Sequence, residues 1–179
     1  MTATAPTAPS LTLHRLYLIR FGFALLWAVV LFATAARIGP VSGTLLVLYP
    51  LLDAAATAVD SFSSRRLAPG LRLNLAVSSI AAAALIVAVT SGIPAVLRVW
   101  GVWAVAAGLL QLAVALRRRA VGGQWPLIAS GTISTVAGIA FVLQAGGTDP
   151  SLKNLAGYAL LGGVFFLVSA LRLGRPVTP

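Results

Sequence analysis

The chain has no cysteine and no glutamate, one histidine, and one lysine, Lys153. Without cysteine, disulfides and thiolate metal sites are excluded. With one histidine and no glutamate, an HExxH-type zinc site cannot be built. A serine or cysteine hydrolase triad would have His14 as its one histidine base, and His14 stands at the edge of the first apolar run, where it reads as an interfacial residue. No P-loop and no GxGxxG fingerprint is present. Charge is scarce too: 9% of the 179 residues are charged. A soluble domain carries about 25%, so a water-soluble fold of this chain would lack a surface.

What the chain does have is apolar length. Hydrophobic residues make up 59% of it. A spanning helix needs about 20 mostly apolar residues, and six stretches qualify, at 15–36, 41–63, 71–90, 94–116, 124–145 and 153–172. The breaks between them carry turn chemistry: IGPVSG, SSRRLAPG, TSGIP, RRRAVGG and AGGTDPS. The expected fold is all-α: a polytopic integral membrane protein of six transmembrane helices, arranged as three repeated hairpins at 15–63, 71–116 and 124–172. Residues 1–13, MTATAPTAPSLTL, lack a basic n-region and read as a short disordered tail rather than a signal peptide. The transmembrane domain is expected over 14–173, and 174–179 forms a C-terminal tail.

The formal net charge is +10. In a soluble protein that would suggest nucleic acid, but here the arginines stand at the ends of apolar segments, with no basic face interleaved with aromatics, so no nucleic-acid partner is expected. Arg15, the Arg65/Arg66/Arg72 loop, the Arg117–Arg119 triplet, Arg172 and Arg175 collect on one side, against Arg37 and Lys153 on the other. That asymmetry predicts a multi-pass protein of the inner (plasma) membrane with both termini cytoplasmic.

The chain also resembles itself. Tyr49–Asp60, Trp100–Gln111 and Tyr158–Ser169 each begin with an aromatic and end eleven residues on with a polar residue. All three copies enter the membrane with the same hand, which makes a parallel repeat. Small residues four apart, at Ala54/Ala58, Ala104/Gly108, Ser134/Gly138 and Ala159/Gly163, predict close helix interfaces and permit a homo-oligomer. The hairpin pattern, with GVWAVAAGLLQLAVALRRR followed by GGQWPLIASGTISTVAGIAF, resembles the HdeD-like membrane proteins. The likeness covers about residues 15–173 and lies in glycine, tryptophan and hairpin spacing. It implies a six-helix fold and an association with acid or stress resistance. It brings no catalytic motif, and the first hairpin is the least typical part.

That hairpin holds the one chemical anomaly, YPLLDAAATAVDSFSSRR, with Asp53 near mid-bilayer and Asp60 two turns on along the same face. An intramembrane aspartate costs roughly 2.5–3.5 kcal/mol, so it should face protein or water and have a partner. Arg20, level with Asp60, is the natural structural ion-pair partner. Arg98 can snorkel outward or reach toward Asp53, and Asn74 and Gln111 can hydrogen-bond either carboxylate. Trp27, Tyr49, Trp100, Trp103 and Tyr158 lie at comparable depth. Trp100 and Trp125 suit an interfacial belt; the sharper reading is a ring-lined pocket beside one acid, fit for a lipophilic ligand.

Three functions are compatible with these residues. The first is a membrane-embedded enzyme using Asp53 and Asp60 in acid–base catalysis, such as proton-initiated cyclisation or rearrangement of an isoprenoid-like substrate; it would need no metal and no cofactor. The second is a non-enzymatic HdeD-like protein of acid or stress resistance, with an Asp60–Arg20 pair as structural glue. The third is a proton-coupled carrier, disfavoured by the scarcity of ionisable groups in the outer half.

Overall fold

The structure is a computed structural model that describes the backbone of residues 8–63, 69–117, 119–121 and 124–173. Among these residues it is all-helical: α1 (Ala8–Thr34), α2 (Pro40–Ser63), α3 (Pro69–Ser91), α4 (Ile93–Arg117), α5 (Trp125–Gln144) and α6 (Lys153–Leu173), with one short 3-10 turn at Arg119–Val121. Four of the helices contain stretches long and apolar enough to cross a membrane: Pro40–Ala58, Pro69–Ser91, Ile93–Arg117 and Trp125–Gln144. Large apolar side chains on the outside, among them Ile19, Leu26, Ile80, Val87, Val102 and Leu143, are exposed. So extensive an apolar exterior belongs against lipid, and the protein is membrane-embedded.

The helix limits follow the expected segments within a few residues, except at the start. α1 begins at Ala8, so part of the stretch expected as a tail is already helical. Two breaks show why the chain turns where it does. Between α3 and α4 a single residue, Gly92, takes φ +103°, a conformation that favours glycine, and Pro94 follows in the first turn of α4. Before α2, the Gly39 N–H donates to Ser42 Oγ at 2.9 Å and the Ser42 hydroxyl reaches back to the Arg37 carbonyl at 3.2 Å, so the start of that helix is tied to its own connection.

The helices are arranged cyclically. α2 packs on α3, α3 on α4, α4 on α5, and α6 returns to α1, while α1–α2 and α5–α6 meet through side chains with their backbones farther apart. Neighbours in sequence joined by short loops are thus not always the close pairs. The tightest seam, α4 with α5, is made by Gly101 and Gly108 against Gly138 and Gly131. Each pair is seven residues apart, two turns on one face, and the absent side chains let the backbones touch. Ala104, at no measurable exposure, and Ser134 fill the middle of the same seam. At the α6–α1 seam, a Cβ on Gly163 would stand 3.1 Å from Ala24 Cβ. The core inside the cycle is built from Trp27, Leu31, Leu46, Leu85, Leu97, Trp100, Trp103 and Leu155, all buried.

Candidate functional site: an interior carboxyl and its hydrogen bonds

Asp53 sits midway along α2, one turn past Pro50, which is inside the helix and cannot donate the usual bond to the Leu46 carbonyl. Asp53 is half-buried. Two donors converge on one of its oxygens: Ser78 Oγ donates to Oδ2 at 2.7 Å, and Asn74 Nδ2 donates to the same atom at 3.0 Å. Asn74 and Ser78 are four apart on α3, so the helix presents both from one face. Asn74 also donates to Thr57 Oγ1 at 2.9 Å, one turn below Asp53 on α2. Trp103 Nε1, from α4, donates to Ser78 Oγ at 3.0 Å.

The four bonds tie three helices together and orient each polar group. Ser78 has one proton to give; it gives it to Asp53 and accepts from Trp103 with a lone pair. Oδ1 of Asp53 accepts from none of these donors, and these donors are the partners the described residues supply to the carboxyl. Both bonds fall on Oδ2, so Oδ1 is the oxygen left open to a further partner.

The aromatic residues expected around the acid fall into two groups. Trp27, Tyr49, Trp100 and Trp103 form one stack, with ring centroids 4.8 Å apart for Trp27–Tyr49, 5.6 Å for Trp27–Trp100, 5.4 Å for Tyr49–Trp100 and 5.1 Å for Trp100–Trp103. Phe23 joins it through Tyr49 at 6.3 Å. The three tryptophans are buried in the core, with Trp100 packed against both Trp27 and Trp103. Tyr49 and Phe23 are partly buried beside them. Tyr158 stands apart, edge-on to Phe141 at 5.8 Å, with its hydroxyl bonded to Ser134 Oγ at 2.9 Å.

The belt expectation separates the two tryptophans it joined. Trp125 is 72% exposed, as a belt residue should be, whereas Trp100 has no exposed surface. Its position on the inner face of α4, between Trp27 and Trp103, overrides its place near a helix end. Its Nε1 is buried without a partner among the described residues, while Trp27 Nε1 donates to the Leu45 carbonyl at 2.8 Å.

The other expected partners lie elsewhere. The Arg20 guanidinium is 5.3 Å from the Phe166 ring centroid, a cation–π contact. Arg98 is exposed, and Gln111 Oε1 is buried with no hydrogen-bond partner; neither bonds to Asp53. The side chains of His14, Asp60 and Ser169 lie outside the described residues, and with Asp60 goes the proposed pairing to Arg20. Ser78, the shortest bond to the acid, was not among the sequence candidates. The sequence places Asn74 and Ser78 at i, i+4 on one face of α3, but Ser79 stands beside Ser78 and gives no reason to single Ser78 out. Among the described residues no three His, Cys, Asp or Glu side chains come together as a metal site.

No family model, curated protein or solved structure matches the chain. The HdeD-like likeness therefore rests on glycine, tryptophan and hairpin spacing alone.

Proposed function

We propose that this is a six-span inner-membrane protein, both termini cytoplasmic, in which Asp53 is an acid–base group acting on a lipophilic, isoprenoid-like molecule. The observation that carries this reading is the asymmetry of the carboxyl: Ser78 and Asn74 both bond Oδ2, and Oδ1 has no partner among the described residues. Intramembrane acids are costly and are functional sites by default. This one is held in place by a three-helix network, which is the preorganisation that acid–base catalysis needs. In a proton-initiated rearrangement, Oδ1 would give its proton to a carbon–carbon double bond and take one back when the resulting cation collapses to an alkene. Tyr49, one turn before Asp53 on α2 and partly buried with its ring in the aromatic stack, is the ring we assign to face such a cation.

The test is isotopic. The purified protein in lipid discs is incubated in D2O with isoprenoid alcohols and polyenes, and the extracted lipids are read for deuterium. Incorporation that is lost in Asp53→Asn, with the thermal midpoint kept, supports the reading. Incorporation that survives Asp53→Asn, or a wild type that labels no isoprenoid, overturns it.

A second reading is favoured by a separate observation, the mutual contact of Trp27, Trp100 and Trp103. A core filled by its own rings suits a non-enzymatic HdeD-like protein of acid or stress resistance, in which the Asp53 network is a polar clasp between α2, α3 and α4. Under that reading Asp53→Asn leaves every lipid unlabelled, as does the wild type, and Asp53→Ala loses stability.

A further inference from the structure

Where α5 and α6 diverge from their connection, the two helices leave an open groove of about 460 Å³. Its walls change character along its length. Ala137, Ala140 and Leu161 make an apolar channel along the helices, while Gln144, Lys153 and Asn154 gather at the end next to the 145–152 connection. The floor is the edge-on contact of Phe141 with Tyr158. Gly157 opens one side: a Cβ built there would meet nothing within 4 Å.

We infer that this groove is a site for an anionic phospholipid with a phosphoglycerol head, its acyl chain in the apolar channel and its phosphate at Lys153. The inference rests on the membrane setting of the protein and is independent of Asp53. Three observations select the occupant. Lys153 and the Asn154 amide supply donors at the first turn of α6, a helix end that itself favours an anion. The Lys153 ammonium lies 5.7 Å from the Phe32 ring centroid, an exposed contact that a phosphate can share or displace. Gln144 Oε1 is a buried acceptor without a hydrogen-bond partner. Turning of the Gln144 side chain toward the groove it lines would offer this acceptor to the hydroxyls of a glycerol head, which a choline head lacks. Asp149 is exposed on the connection and is not part of the groove's wall.

Native mass spectrometry of the full chain, released from detergent after addition of phosphatidylglycerol or phosphatidylcholine of equal chain length, tests this. The wild type should retain phosphatidylglycerol about fivefold or more over phosphatidylcholine, the effect of about one lysine contact with an anionic lipid. Lys153→Ala should abolish that preference and Gln144→Leu should reduce it. Gly157→Phe, which places a ring in open space, should lower retention of both lipids at an unchanged thermal midpoint. Arg37→Ala removes a cation from the same end of the bundle but outside the groove, and should leave the preference intact. Equal retention of the two lipids by the wild type, or a loss in Arg37→Ala matching that in Lys153→Ala, would overturn the assignment.

Discussion

Gly101 of α4 and Gly138 of α5 meet backbone to backbone: a Cβ on Gly138 would stand 2.5 Å from the Gly101 carbonyl oxygen, and one on Gly101 would stand 2.6 Å from that of Gly138. No side-chain adjustment relieves such a clash, because the obstructing atoms are main chain. Gly101→Ala or Gly138→Ala should therefore force the seam apart and destabilise the protein by about 1–3 kcal/mol, the usual cost of overpacking a close interface. Gly157→Ala, which enters open space, is the control and should leave the thermal midpoint in detergent where it was.

The Asp53 clasp predicts a graded series. Asp53→Ala leaves the Ser78 hydroxyl and one Asn74 bond without their acceptor, at a cost of about 1–3 kcal/mol. Asp53→Asn keeps an oxygen for both donors and should unfold within about 1 kcal/mol of wild type. A larger loss in Asn than in Ala would mean that the donors do not hold the carboxyl as described.

Three tryptophans share one stack but differ in their indole N–H. Trp27 bonds the Leu45 carbonyl, Trp103 bonds Ser78, and Trp100 bonds nothing among the described residues. Changing each to Phe removes similar volume, so differences among the three report the N–H. Trp27→Phe and Trp103→Phe should each lose about 0.5–1.5 kcal/mol more than Trp100→Phe, measured by thermal or denaturant unfolding.

The absence of cysteine makes orientation directly testable, since any introduced thiol is the sole one. Arg37→Cys and Thr148→Cys should react with a membrane-impermeant maleimide added to intact cells, and Arg119→Cys should react only after the membrane is opened. The reverse pattern would invert the topology inferred from arginine placement.

Much of the architecture was written in apolar run length and turn residues. The expected segment 71–90 is α3 at Pro69–Ser91, and 94–116 is α4 at Ile93–Arg117, because Gly92 and Pro94 punctuate the chain there. Partner choice was less legible. Gly101 and Gly138 mark a seam only when one knows which helices face each other, and nothing local pairs α1 with α6. At the site, Asp53 and Asn74 stood out as polar residues in apolar company. Ser78 did not, since a serine in a transmembrane helix is ordinary until its hydroxyl is seen between an indole and a carboxylate. The tryptophans were ambiguous for a related reason: composition and depth describe a ring-lined pocket and a ring-filled core alike, and neither says that Trp100 packs on both Trp27 and Trp103.

The return of α6 to α1 has a consequence for how the molecule is made. Phe21 and Ala24, the α1 residues nearest Gly163, wait for a neighbour that leaves the ribosome more than a hundred residues later. Until then the first helix is held to the second by the side chains of Phe23 and Trp27, which reach Tyr49 and the Leu45 carbonyl, and not by close backbone packing. This seam thus closes only once α6 has been made, and a nascent chain stalled before α6 would leave the Phe21 and Ala24 face of α1 open to chaperones and quality-control proteases.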